Sequence, residues 1–257
     1  MKKVLLLKAA KGNIEDDIYV QTLTSEGLSP TLIQVLSFKF FNLDQFYKQI
    51  SNPDNYGGIV FSSPRSVEAF TKAIESNSSI QDWKSEFLPK WLPLPAYVVG
   101  NATAEHVKQL GLVPVGADSG NAQNLVQVIK KGTLPGGLPL VFPCGNLRRE
   151  TIPSSLDEEG IKFESLTVYE SMAHPMINES LSNFIQNQGV PDYIVFFSPS
   201  GVRFSHQSVL SCITAIDRVQ MIAIGPTTKV AMEKIGYVVA GVAESPDSES
   251  LINILRR

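Results

Sequence analysis

The sequence predicts an α/β protein built from two parallel-sheet domains, and three observations predict it. Short apolar runs recur at residues 4–7, 58–61, 97–99, 138–142, 193–197 and 221–224. They are continuous rather than alternating, the pattern of parallel strands buried on both faces. Turns and amphipathic stretches lie between them, so strand and helix signals alternate as they do in layered α/β folds. The third observation is an internal duplication. Tyr97-Val-Val-Gly-Asn-Ala-Thr-Ala and Ile222-Ala-Ile-Gly-Pro-Thr-Thr-Lys align Gly100 with Gly225, Thr103 with Thr228 and Gly111 with Gly236 at one constant offset. Upstream, Val60-Phe-Ser-Ser-Pro-Arg-Ser-Val has a counterpart in Phe196-Phe-Ser-Pro-Ser-Gly-Val. A chain of 257 residues suits two modest domains or one large one.

Taken in order, the first run starts after Met1-Lys-Lys and ends at Lys8. It is too short for a signal-peptide core and reads as a buried first strand. Residues 31–38, after Gly27, and 163–170, after Gly160, are strand-like and break the alternation. They occupy equivalent places in the two copies, and each reads as a strand crossing between domains. Ser63-Pro64 has the form of an N-cap serine followed by proline at the first helical position. Residues 87–95 read as a proline-rich loop. Gly100-Asn101-Ala102-Thr103 opens the next helix, whose apolar positions Val107 and Leu110 precede Gly111 as C′ residue. Residues 132–139 form a second Pro/Gly loop that separates the copies. The strand at 138–142 leads into Phe142-Pro-Cys-Gly-Asn-Leu-Arg-Arg-Glu. Ser198-Pro199 then repeats the serine cap, Gly225-Pro226-Thr227-Thr228 repeats the helix opening, and Gly236 repeats the stop.

Composition excludes several function classes. Hydrophobic residues make up 43% and charged residues 18%, enough to bury two cores. The net charge of −3, without a basic run, argues against a nucleic-acid partner. No apolar stretch approaches the ~18 residues of a membrane helix. Cys144 and Cys212 have neither metal nor redox spacing and read as reduced thiols of a cytoplasmic protein. His106, His174 and His206 form no zinc-ligand pair. A G-x-G-x-x-G fingerprint is missing, and Gly111 and Gly116 have Walker spacing but run on into Ala117-Asp118. Ser198 lies in no G-x-S-x-G elbow. The expectation is chemistry without metal or cofactor.

What recurs instead is helix starts at strand ends. Such starts offer unpaired N–H groups and a partial positive charge, which bind anions without a basic side chain. Ser63, Asn101, Thr103, Ser198, Ser200, Thr227 and Thr228 are therefore candidate ligand contacts. For any one of these turns alone plain capping is the better explanation, but capping does not require Ser/Thr clusters to recur in register at four strand ends, and that recurrence favours ligand contact. Arg65 in the Ser63 turn, Arg148 and Arg149 beyond the 138–142 strand, and Lys8 are candidate cations for carboxylate or phosphate. The alternative for each is a solvated surface charge.

Six segments together carry a family resemblance. They are Asn55-Tyr-Gly-Gly-Ile-Val-Phe-Ser-Ser-Pro-Arg, Val98-Val-Gly-Asn-Ala-Thr-Ala, Phe142-Pro-Cys-Gly-Asn-Leu-Arg-Arg-Glu, Val168-Tyr-Glu, Phe196-Phe-Ser-Pro-Ser-Gly and Ala223-Ile-Gly-Pro-Thr-Thr. In this order the chain resembles the uroporphyrinogen-III synthases of the animal type, from Met1 to Glu244-Ser-Pro. The resemblance implies two Rossmann/flavodoxin-like domains joined by a two-stranded β linker, with an interdomain cleft that closes over its substrate. It also implies a discontinuous first domain of residues 1–36 plus 174–257, a second of 37–173, and linker strands near 31–38 and 163–170. The implied substrate is hydroxymethylbilane, a linear polycarboxylated tetrapyrrole, cyclised with inversion of ring D and loss of water. The implied protein is a cytoplasmic monomer without cofactor, nucleic-acid or membrane partner. Positioning and electrostatics suffice for such a reaction, because the electron-rich pyrrole itself assists departure of the hydroxyl. Tyr169, at the end of the second crossing strand, is the candidate acid for that hydroxyl, with an ordinary amphipathic-strand tyrosine as the alternative.

Two other readings fit part of the sequence. A two-domain protein that binds an acidic small molecule without catalysis needs the same turns. A nucleotide-sugar or phosphate-transfer enzyme needs a glycine-rich phosphate loop, which the chain lacks. Fold alone does not choose between them.

Overall fold

The computed structural model describes residues 1–9, 13–132, 137–148 and 150–256. Its strands in chain order are β1 (Lys3–Lys8), β2 (Ser29–Gln34), β3 (Leu36–Phe40), β4 (Gly58–Phe61), β5 (Ala96–Val98), β6 (Pro114–Val115), β7 (Leu140–Gly145), β8 (Phe163–Ala173), β9 (Tyr193–Phe196), β10 (Gln220–Ala223) and β11 (Val239–Val242). The helices are α1 (Ile18–Ser25), α2 (Leu43–Ile50), α3 (Pro64–Asn77), α4 (Ile80–Glu86), α5 (Leu88–Trp91), α6 (Asn101–Gln109), α7 (Ala122–Lys131), α8 (Thr151–Glu158), α9 (Ile177–Gln188), α10 (Pro199–Cys212), α11 (Pro226–Lys234) and α12 (Ser248–Leu255). The chain divides into two units, one of Met1–Ser37 with Met172–Arg257 and one of Phe38–Ser171.

In the first unit, five parallel strands run in the order β2-β1-β9-β10-β11. Numbered within the unit this is 2-1-3-4-5, the flavodoxin-like order. Successive strand residues enter opposite cores. Leu5, Leu7, Ile194, Phe196, Met221 and Ala223 meet Leu181, Phe184, Val202 and Met232 of α9, α10 and α11 on one face. Val4, Leu6, Tyr193, Val195 and Ile222 meet Leu23 and Leu251 of α1 and α12 on the other. The continuous apolar runs are thus explained by helices covering both faces.

The second unit has the order β6-β5-β4-β7-β8, with β3 on the edge beside β8. The neighbouring pairs from β6 to β8 are parallel, and their order within the unit is 3-2-1-4-5, the Rossmann arrangement. Ile59, Phe61, Val98 and Val141 face α2, α3, α4 and α6. Val60, Tyr97, Leu140 and Phe142 face α7 and α8. Strand order reverses between β1 and β9 in the first unit and between β4 and β7 in the second. In open α/β sheets ligands bind at the carboxyl ends of strands at such points, which directs attention to the turns after β4, β7 and β9.

Several elements differ from the sequence reading. The strand expected over 31–38 is two strands interrupted at Val35: β2 pairs with β1, while β3 sits beside β8. The loop expected over 87–95 contains the short helix α5, because buried Trp91 anchors it with an indole N–H donated to the Ile50 carbonyl at 2.7 Å. Residues 133–136 of the second loop, and Arg149, lie outside the described residues.

Candidate active site

The serine turns have the expected form in both units. Ser63 caps α3 with φ −160° and ψ 157°, and Ser198 caps α10 with φ −164° and ψ 156°. Ser63 Oγ accepts from the Ser66 N–H at 3.3 Å, and Ser198 Oγ accepts from the Gly201 N–H at 3.0 Å. Each is followed by proline at the first helical position, where a missing N–H costs nothing. The second partners differ. Ser198 Oγ lies 3.2 Å from Ser200 Oγ, whereas Ser63 Oγ lies 2.9 Å from the phenol oxygen of Tyr169.

The Ser63–Tyr169 pair joins the end of β4 to β8. Tyr169 is half-buried, and its ring packs against Phe38 and Phe40 at centroid distances of 6.3 and 6.2 Å. Burial raises its phenol above the ordinary tyrosine value, opposed by the Ser63 hydrogen bond; the nearby Cys144 adds to the rise and the Arg65 charge opposes it. The phenol is therefore protonated at neutral pH and able to donate. Arg65, in the same turn, lays its guanidinium over the Phe38 ring at 4.2 Å and pairs with Glu68 at 2.5 Å. It remains about one third exposed. Arg148 follows β7 and is held by Glu150 at 3.3 Å and by Cys144 Sγ at 3.5 Å.

The glycine turns offer backbone rather than hydroxyls. Gly100 and Gly225 are the N-caps of α6 and α11 and supply no side-chain cap. Thr103 and Thr228 are the third residues of these helices and are 1% and 2% exposed. Their hydroxyls lie below the surface, on the same helix stripe as Val107 and Met232. Neither threonine caps its helix, since the N-caps are Gly100 and Gly225. Asn101 and Thr227 are the exposed polar side chains of the two turns. At the far ends the duplication is reproduced in detail. Gly111 and Gly236 have φ of 88° and 91°. Leu112 N–H reaches the Val107 carbonyl and Tyr237 N–H the Met232 carbonyl, the Schellman closure in both helices.

Lys8 proves committed elsewhere. Its ammonium pairs with Asp17 at 2.6 Å and stands over the rings of Tyr19 and Phe197 at 4.6 and 5.0 Å. Gly145, Cys144 and Phe38 are the neighbours of the candidate residues that the sequence reading left without a role. A glycine at the last position of a strand was a usable signal, since it often marks close approach of another group.

The family model described as uroporphyrinogen-III synthase HemD matches residues 17–253, and so spans both units and every candidate residue except Lys8. The chain belongs to the uroporphyrinogen-III synthase family. It is 27% identical over 255 residues to the uroporphyrinogen-III synthase of Schizosaccharomyces pombe, covering 98% of this chain and 95% of that one. The corresponding protein of Saccharomyces cerevisiae is 26% identical over 276 residues, with 99% and 96% covered. Among solved structures, the Helicobacter pylori uroporphyrinogen-III synthetase aligns over 100% of this chain and 99% of its own with a TM-score of 0.66 at 16% identity. That likeness shows the shared two-domain fold.

Proposed function

We propose that this chain is a uroporphyrinogen-III synthase, a cyclising lyase of tetrapyrrole biosynthesis that converts hydroxymethylbilane to uroporphyrinogen III. The observation that carries the reading is the family match across residues 17–253. Among the described residues no helix is long and apolar enough to cross a membrane.

In this reading, Tyr169 donates its phenol proton to the hydroxyl of the substrate's hydroxymethyl group. The hydroxyl leaves as water and a resonance-stabilised azafulvene-type cation remains. The Ser63 hydroxyl donates to the phenolate, and the Arg65 charge steadies it. Ring D attacks through its substituted carbon to give a spiro intermediate, which fragments and recloses inverted. The proton lost as the pyrrole regains aromaticity returns to Tyr169, so the phenol ends the cycle as it began. The strand-end turns of each unit hold acetate and propionate groups. They use exposed Asn101 and Thr227, Ser198 with Ser200, the cations Arg65 and Arg148, and free N–H groups of α6 and α11. Thr103 and Thr228 support these turns from beneath.

The test is isomer analysis. Freshly generated hydroxymethylbilane is mixed with the protein, and the oxidised porphyrins are separated by chromatography. Closure without catalysis gives the uninverted type I isomer. A shift to type III that grows with protein concentration is expected. Type I alone, from folded protein, leaves a non-catalytic binder of acidic small molecules, to be tested by tetrapyrrole titration.

A further inference from the structure

We infer that Gly145 is a positioning residue for Tyr169: the space left by its missing Cβ is where the phenol ring stands to reach Ser63. This rests on the reading of Tyr169 as proton donor. A Cβ on Gly145 would lie 2.6 Å from Tyr169 Cε2 and Cζ and 2.9 Å from its oxygen, and these are its three nearest atoms. Ordinary contact begins at 3.4 Å, so a methyl group there drives the ring back by roughly an ångström. Gly145 is not among the residues with positive φ. Its backbone conformation therefore admits any side chain, and the demand for glycine comes from the ring alone.

The surrounding structure holds this contact in place. The register of β7 and β8 shifts between Cys144 and Gly145, so that Cys144 faces Thr167 while Gly145 faces Tyr169 and Val168 is the extra residue. Such a bulge re-aims the side chain beside it. The next residue locks the register. Asn146 N–H donates to the Tyr169 carbonyl at 3.0 Å, and Asn146 Oδ1 accepts from the Ser171 N–H at 2.9 Å. The end of β7 therefore cannot slide away from the ring, and Phe38 and Phe40 pack on the ring as well. Displacement of the ring costs the 2.9 Å hydrogen bond to Ser63.

The experiment is a cycle of Gly145→Ala and Tyr169→Phe, read as kcat, KM and the type III to type I ratio. Gly145→Ala is expected to lower kcat by about 100-fold, the cost of an ångström's misplacement, with KM little changed and more type I product. In the Tyr169→Phe background the same change should cost nothing further, because the hydroxyl it misplaces is gone. Wild-type kcat in Gly145→Ala beside an impaired Tyr169→Phe overturns the inference, as does an equal loss in both backgrounds. Unchanged turnover in Tyr169→Phe sinks the donor reading itself and the catalytic consequence of Gly145 with it. Should Gly145→Ala fold poorly, the melting temperature of the Gly145→Ala/Tyr169→Ala double variant is compared with that of Tyr169→Ala alone: with the ring gone Gly145→Ala is expected to cost nothing further, and an equal loss in both backgrounds places the strain elsewhere and overturns the inference.

Discussion

Tyr169 shows how one side chain acquires a role from its surroundings. Isolated, a phenol with a pKa of about 10 is a weak donor that is protonated at neutral pH. Here burial, the largest influence, pushes its pKa higher, against the pull of Ser63 and Arg65. The direction matters for pH dependence. Because the native phenol holds its proton more tightly than a free one, the donor form persists through neutral pH and is lost only above the ordinary tyrosine value. Tyr169→Phe is expected to lower kcat by about 100-fold, the lower range for a positioned general acid, with an unaltered melting temperature. The wild-type kcat profile should show no loss attributable to this group through neutral pH, and any alkaline limb it causes should be centred above the ordinary tyrosine value and vanish in the variant. Turnover unchanged by Tyr169→Phe removes the residue from the mechanism. The sequence suggested Tyr169 through its place on a strand and through family resemblance. It could not reveal the bond to Ser63, because that contact depends on strands β4 and β8, which are 106 residues apart at this pair and joined only through the sheet.

Helix starts were legible wherever their chemistry is local. A serine followed by proline caps a helix through its own neighbours, and Ser63 and Ser198 do so with nearly the same backbone angles. The glycine turns were read less completely. Their recurrence was visible, but which threonine faces solvent depends on the helix face that packs on the sheet. The clue was present in the spacing: Thr103 and Val107, like Thr228 and Met232, are four apart and share a buried stripe. A contrast within one turn follows. Thr228→Ala is expected to lower unfolding free energy by about 1 kcal/mol through lost buried atoms, with Thr228→Val closer to wild type. Thr227→Ala should stay within about 0.5 kcal/mol in stability, as exposed substitutions do, and raise KM. Urea unfolding and initial rates separate the two effects. A raised KM with full stability in Thr228→Ala would show that the buried threonine touches substrate after all.

At the scale of the molecule, duplication predicted two α/β units, but not that their sheets differ in order. Strand order depends on where each crossover lands, and both the 2-1-3-4-5 and 3-2-1-4-5 arrangements arise from the same alternation of strands and helices. The two-residue β6 and the strand Val239–Val242, with alanine and glycine at its centre, carry too little apolar signal to be found alone. The arrangement does fix how the chain can be cut. Both cores of the second unit are drawn from one continuous stretch, so a fragment of residues 36–173 should fold by itself and unfold cooperatively in urea. The first unit is different. Its strand β1 lies between β2 and β9 and sends Leu5 and Leu7 to one core and Val4 and Leu6 to the other. A fragment of residues 172–257 therefore lacks an interior strand, leaves β9 as an open edge, and should remain unfolded by far-ultraviolet circular dichroism. Adding a peptide of residues 1–37 is expected to induce its α/β signal, since it restores the apolar side chains for both faces at once. Folding of residues 172–257 without that peptide would mean that β1 is dispensable to the cores it occupies.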